Sequence, residues 1–142
     1  MPARLYAGYF FLKYGLEKLN GNFGGATLHE TLVKWAGGEA YDFYEPFLHK
    51  VAIPHAGVFA HLVVFGEMAV GAALLLGCAT RLAALGGIFL CVNFLLAGGT
   101  PLLGTDPPVV FSLLLVTVYA TAAGRSLGLD SLLKRKLPRW AA

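Results

Sequence analysis

The sequence predicts an all-α integral membrane protein, a bundle of four transmembrane helices with a long, partly helical outer loop between the first and second. Three observations predict it. Of the 142 residues, 57% are apolar and only 13% charged, which leaves too little polar surface to coat a small water-soluble sphere. Two apolar runs of about twenty residues, the length that crosses a hydrocarbon core, stand back to back over 66–99 and are parted only by Thr80 and Arg81. Charge is also sorted by side. In four alternating helices Arg4, Arg81, Arg125, Lys134, Arg135, Lys136 and Arg139 share one side, while Glu30, Glu39, Asp42, Glu45 and Asp106 share the other with only Lys34 and Lys50. The basic side is the cytoplasmic one, so both termini are expected there.

The chain reads as a single domain over 1–142, with helices at about 4–19, 57–77, 81–98 and 108–123, an outer loop at 20–56 and a cytoplasmic basic tail at 124–142. The first apolar segment, 5–19, carries Lys13, Glu17 and Lys18 and no small-residue cleavage site, so it reads as a helix rather than a signal peptide. In the outer loop, Thr27 and Glu30 have capping-box spacing, Leu28, Leu32 and Trp35 follow at helical intervals, and Gly37 and Gly38 punctuate the end. A short helix lying flat on the outer membrane face is expected. The aromatic cluster YDFYEPFL follows at 41–48, and two readings stand open for it: an interfacial belt, or a lid over a cavity between the helices. The tail segment LLKRKLPRW can touch anionic headgroups, with Trp140 as an anchor, so its basicity points to membrane lipid and not to nucleic acid.

Polar groups inside apolar helices mark the places where function is expected. Counted from the cytoplasmic arginines at the helical rise, Lys18 stands about 21 Å above Arg4, Glu67 about 21 Å above Arg81, and Asn93 about 18 Å above Arg81. The three are expected at one level. Arg4, Gly8, Phe11, Gly15 and Lys18 form one stripe of the first helix, and Glu67, Gly71, Leu74 and Cys78 one stripe of the second. Small residues at Gly8, Gly15 and Gly71 would let the two backbones approach closely. A Lys18–Glu67 ion pair is the simplest outcome, with Tyr14 nearby. Lys13, about 8 Å deeper, competes as partner unless it pairs with Glu17 at i, i+4. A further alternative leaves Lys18 reaching for the headgroups and Glu67 bonded to Asn93.

Other chemistry is not visible. Cys78 and Cys91 differ in depth by about 15 Å, beyond the reach of a disulfide. His29, His49, His55 and His61 cluster on the outer side, but none has the HxxxH or HxxE spacing of a two-ligand helical face. No metal site and no covalent cofactor is expected from these residues. No phosphate loop, dinucleotide fingerprint, CxxC pair or serine nucleophile elbow occurs.

The run from Arg4 through Gly8 and Gly15 to Lys18, then FGEMAVGAALLLGCATR, NFLLAGG and AGRSLGLDSLL, resembles the DoxX family of small bacterial and archaeal four-helix membrane proteins. Its DoxD-like branch, named for the small subunit of a thiosulfate:quinone oxidoreductase, is the nearer resemblance. Glu67, Gly71, Gly77, Thr80, Arg81, Asn93, Gly124, Gly128 and Asp130 match the family pattern. The resemblance implies a location in the cytoplasmic (inner) membrane, an association with quinone and sulfur redox chemistry, and a larger membrane complex or partner subunit. It implies no catalytic mechanism, and the chain departs from thiol relay by lacking a cysteine pair. Two functions stand open. One is a quinone-linked oxidoreductase subunit with a polar intramembrane site at Lys18, Glu67 and Asn93. The other is a non-catalytic accessory or assembly subunit of a respiratory or photosynthetic complex, in which the ion pair sets helix register.

Overall fold

A computed structural model describes residues 2–121 together with Gly128. Every regular element among them is helical: α1 (Pro2–Asn20), α2 (Gly25–Ala36), the single turn α3 (Glu45–Phe47) running into a π-helical turn (Leu48–Ala52), α4 (Ala56–Leu76), α5 (Thr80–Ala97) and α6 (Pro107–Ala120). Prolines open α1 and α6, where a missing N–H breaks no helical bond. Gly77 ends α4 in the left-handed region at φ 65°, its N–H returning to the carbonyls of Ala73 and Leu74. Ala79 is also left-handed, at φ 47°. These two residues reverse the chain into α5 within a few positions.

Helix α1 packs along α4, α4 against α5, α5 against α6, and α6 closes back on α1. The small-residue stripe sets the tightest of these contacts. A Cβ on Gly8 would lie 2.9 Å from Leu75, one on Gly15 would lie 2.7 Å from Met68, and one on Gly71 would collide with the backbone of Leu12. Without side chains at these points the α1 and α4 backbones touch. Ala7, Phe11, Leu74, Ala84, Leu115 and Val118 fill the space between the four helices. Phe10 stacks on Phe111 with centroids 3.5 Å apart and seals α1 to α6.

A second core lies over the end of the bundle that carries the 20–56 segment. Leu28, Leu32 and Ala36 of α2 bury against Leu48, Ala52, Ala56, Ala60 and Ala97. Here the structure corrects two expectations. The loop helix does not rest flat on an interface but docks onto α4 and α5, because its apolar stripe finds a protein partner rather than lipid. It also starts before the expected capping box, at Gly25 with Gly24 as cap and no side-chain cap bond. The Thr27 hydroxyl reaches only the Asn22 carbonyl, at 3.5 Å. Close contact explains the early start, since a Cβ on Gly25 would fall 2.7 Å from the Gly57 Cα. The expected basic tail at 124–142 lies outside the described residues, Gly128 excepted.

Candidate functional site

The Gly15–Met68 contact decides where the charged residues meet. Lys18 lies one turn beyond Gly15 on α1 and Glu67 one turn before Gly71 on α4, so the tight crossing delivers both to one spot. Lys18 Nζ donates to Glu67 Oε1 at 2.5 Å. Glu67 is only 5% exposed, and its Oε2 is enclosed with no hydrogen-bond partner among the described residues. The ammonium also stands over two rings, 4.9 Å from the centroid of Phe94 and 5.4 Å from that of Phe23, so aromatic faces stabilise the cation on the sides turned away from solvent. A cleft of about 170 Å³ adjoins the pair, walled by Phe10, Tyr14, Cys91, Phe94 and Pro108 among others. The arrangement can offer a hydrogen bond from nitrogen, accept one at a free carboxylate oxygen, and do both beside flat apolar walls.

Lys13 does not compete for Glu67. It pairs with Glu17 at 3.7 Å, both side chains being about half exposed, as their i, i+4 spacing allows. Asn93 does not join the ion pair either. Its Nδ2 donates to the Phe89 carbonyl at 2.7 Å, and its Oδ1 accepts the Tyr44 hydroxyl at 2.5 Å. Depth alone placed three groups at one level, but the direction of Asn93 around α5 sends it to the opposite side.

Tyr44 is the residue that sequence reasoning missed. The signal was available in two halves, an amide inside an apolar helix that needs a partner and a tyrosine-rich segment outside it. Tyr44 belongs to the 41–48 segment, which closes as a lid rather than lining an interface alone. Tyr41 anchors that lid, its N–H to the Leu96 carbonyl at 3.1 Å and its hydroxyl to the Thr100 carbonyl at 2.9 Å. Beneath lie about 390 Å³ of cavity between α2, α4 and α5, with Tyr44 and Asn93 on its wall and apolar side chains nearly everywhere else. Burial pushes the Tyr44 phenol above its ordinary pKa. Phe94 lines both this chamber and the cleft beside the ion pair.

The sequence pattern of the DoxX family matches residues 1–99. The chain belongs to the DoxX family. Among solved structures none matches it. The match takes in α1, the lid, α4 and α5, and hence Lys18, Glu67, Tyr44 and Asn93 alike. As a DoxX chain it is a membrane protein, and its α4 and α5, of 21 and 18 residues, are long and apolar enough to cross a bilayer. Only 33% and 39% of their most apolar windows are buried inside the fold, so most of that apolar surface faces outward, as lipid contact requires and a soluble core helix does not.

The other motif positions of this DoxX chain gather at the opposite end of the bundle. Arg4, counted among the basic residues of one side and placed on the α1 stripe, is 2% exposed. Its guanidinium fills the space that a side chain on Gly77 would take, beside the Gly128 Cα. Thr80 is fully buried next to that turn, and Arg81 Nε donates to the Tyr119 carbonyl at 3.2 Å with its guanidinium over the Tyr119 ring. These residues close that end of the fold by packing, and Gly77 is glycine for both its φ and its neighbour. Gly124 and Asp130 lie outside the described residues.

Proposed function

We propose that this DoxX protein is a four-spanning subunit of a quinone-linked oxidoreductase, with both termini cytoplasmic and with Lys18 and Glu67 holding a quinone headgroup. The supporting observation is Glu67 Oε2, an enclosed carboxylate oxygen without a hydrogen-bond partner among the described residues, in a side chain that lines an aromatic-walled cleft. A quinone supplies two-electron, two-proton redox chemistry when bound. Lys18 is placed to donate to a carbonyl oxygen, Phe10 and Phe94 to flank a planar ring, and Glu67 to hold or pass a proton beside it. Tyr14, 41% exposed on the same wall, is the group between the cleft and its surroundings. Spanning by α1 and α6 as well is supported by the outward apolar surface of both, including Tyr6 and Tyr9 on α1 and Leu113 and Val116 on α6. Electrons reach the site from a partner subunit, because this chain offers only two separate thiols. Sulfur compounds such as thiosulfate, the substrate class of the DoxD-like branch, are the proposed donors.

The accessory reading draws on the same ion pair, since a Lys18–Glu67 contact also fixes the register of α1 on α4 without any chemistry. One experiment separates the two. A Lys18→Met, Glu67→Leu double variant keeps the packing and removes the charges. Quinone reduction by the assembled native complex should be lost while subunit content is unchanged. Full activity with the double variant would sink the quinone site and leave the accessory role.

A further inference from the structure

The chamber under the lid is a second cavity, on the other side of α5 from the ion pair, and the quinone reading does not use it. Its volume, about 390 Å³, falls in the range of about 300 to 1,000 Å³ typical of small-molecule sites. Among the described residues no charged side chain lines it, and its polar groups are the Trp35 indole and the Tyr44 hydroxyl bonded to the Asn93 amide. Walls of this kind do not hold water in bulk. The rim includes Leu62 and Phe89, which are 59% and 67% exposed on the outer faces of α4 and α5. In a membrane that rim opens sideways onto hydrocarbon, not onto water.

We infer that the lid chamber binds the apolar chain of a membrane amphiphile with an uncharged, hydrogen-bonding head, which enters between Leu62 and Phe89 and places its head at Tyr44 and Asn93. Charge selects the class. An anionic head such as a fatty carboxylate or a phosphate would be buried beside a neutral hydroxyl and amide with no cation lining the cavity, which costs too much. An alcohol finds acceptors in the Tyr44 oxygen and in the second lone pair of Asn93 Oδ1, and an alcohol or a carbonyl finds a donor in the Asn93 N–H that the Phe89 carbonyl does not take. Gly66 and Gly86 face this space from α4 and α5. A Cβ at Gly66 would meet only the Leu90 side chain, at 3.5 Å, so a larger side chain there would occupy the chamber without striking backbone.

The test uses the full chain in phosphatidylcholine nanodiscs with two photoactivatable probes, a palmityl alcohol and a farnesol, whose crosslinks are mapped by mass spectrometry. Label should concentrate on Leu62, Val63 and Leu90 and fall when the matching unlabelled alcohol is added in excess, whereas label on lipid-facing Leu113 and Val116 should not respond. The probe that is displaced tells a linear acyl source from an isoprenoid one. Gly66→Phe should abolish the competed label, and Tyr44→Phe, which keeps the ring, should weaken competition by the alcohol about fivefold, the worth of one neutral hydrogen bond. Label spread equally over chamber and outer surface, or a chamber label that excess alcohol does not displace, would overturn the inference. Because displacement is read on the unaltered chain, a misfolded Gly66→Phe variant would not shield it.

Discussion

At the scale of single residues, one ion pair and one hydroxyl–amide couple divide the polar chemistry of the half of the protein that carries the 41–48 lid. Lys18 and Glu67 are enclosed enough that removing either strands the other, so Glu67→Ala and Lys18→Ala should each destabilise the fold by about 3 to 5 kcal/mol. Thermal unfolding in detergent should show the double substitution costing far less than the sum; additive costs would mean that the two side chains are not coupled. Tyr44 gives a second, pH-linked prediction. Burial holds its phenol above the ordinary value, near 10 for an unperturbed tyrosine (about 10), so the neutral form is favoured when the lid is closed. Its contribution is complete below about pH 10 and fades as the pH climbs through the raised value. Limited proteolysis at 41–48 should therefore accelerate in alkaline buffer, and Tyr44→Phe should remove that extra alkaline sensitivity. The helical rise together with the facing glycine-bearing stripes made the Lys18–Glu67 contact the simplest outcome, with Lys13 and Asn93 as the competing partners that the structure removes. The Asn93 contact was not legible, because depth says nothing of azimuth around α5.

Among the elements, the α1–α4 crossing and the docking of α2 carry the arrangement. Gly71 sits against the Leu12 backbone, which no rotamer change can clear, so Gly71→Leu should cost more than the about 1 to 3 kcal/mol of ordinary overpacking and should separate Lys18 from Glu67. Loss of expression in the membrane, together with a lowered thermal unfolding temperature in detergent, would register it. In α2, Leu32 is buried in the second core, and Leu32→Ala should destabilise by about 2 to 5 kcal/mol. A helix merely resting on lipid headgroups would lose almost nothing, so a neutral result would undo the docked lid. Thr27→Pro makes no such distinction: Thr27 is in the first turn of α2, where the N–H has no intrahelical partner and proline is tolerated. The capping-box spacing at Thr27 and Glu30 misled for a physical reason. Contact between Gly25 and Gly57 sets where α2 begins, and a tertiary contact of that kind outweighs a local capping preference.

At the scale of the whole molecule, an apolar exterior around four packed helices and a one-sided distribution of basic residues lead to a single topological expectation. An alkaline phosphatase fusion after Gly38 should be active and one after Arg135 inactive. The reverse pattern would overturn the orientation and, with it, the placing of the lid on the outer face. The two cavities then lie in the outer half of the bundle on opposite sides of α5, one bearing charge and one neutral, with Phe94 on the wall of each.

By itself the sequence determined the all-helical class, the membrane setting and the glycine stripes that allow a close α1–α4 approach, and it made Lys18 the simplest of the partners open to Glu67. All of these follow from one-dimensional periodicities, runs of apolar residues and a fixed rise along each helix. Only the tertiary structure decided that the loop helix docks, that Asn93 turns to Tyr44, and that Arg4 is sealed under Gly77. Those outcomes depend on the rotation of each helix about its own axis and on which apolar stripe meets which. Such choices are made by side-chain packing between segments far apart in the chain, and no local pattern encodes them.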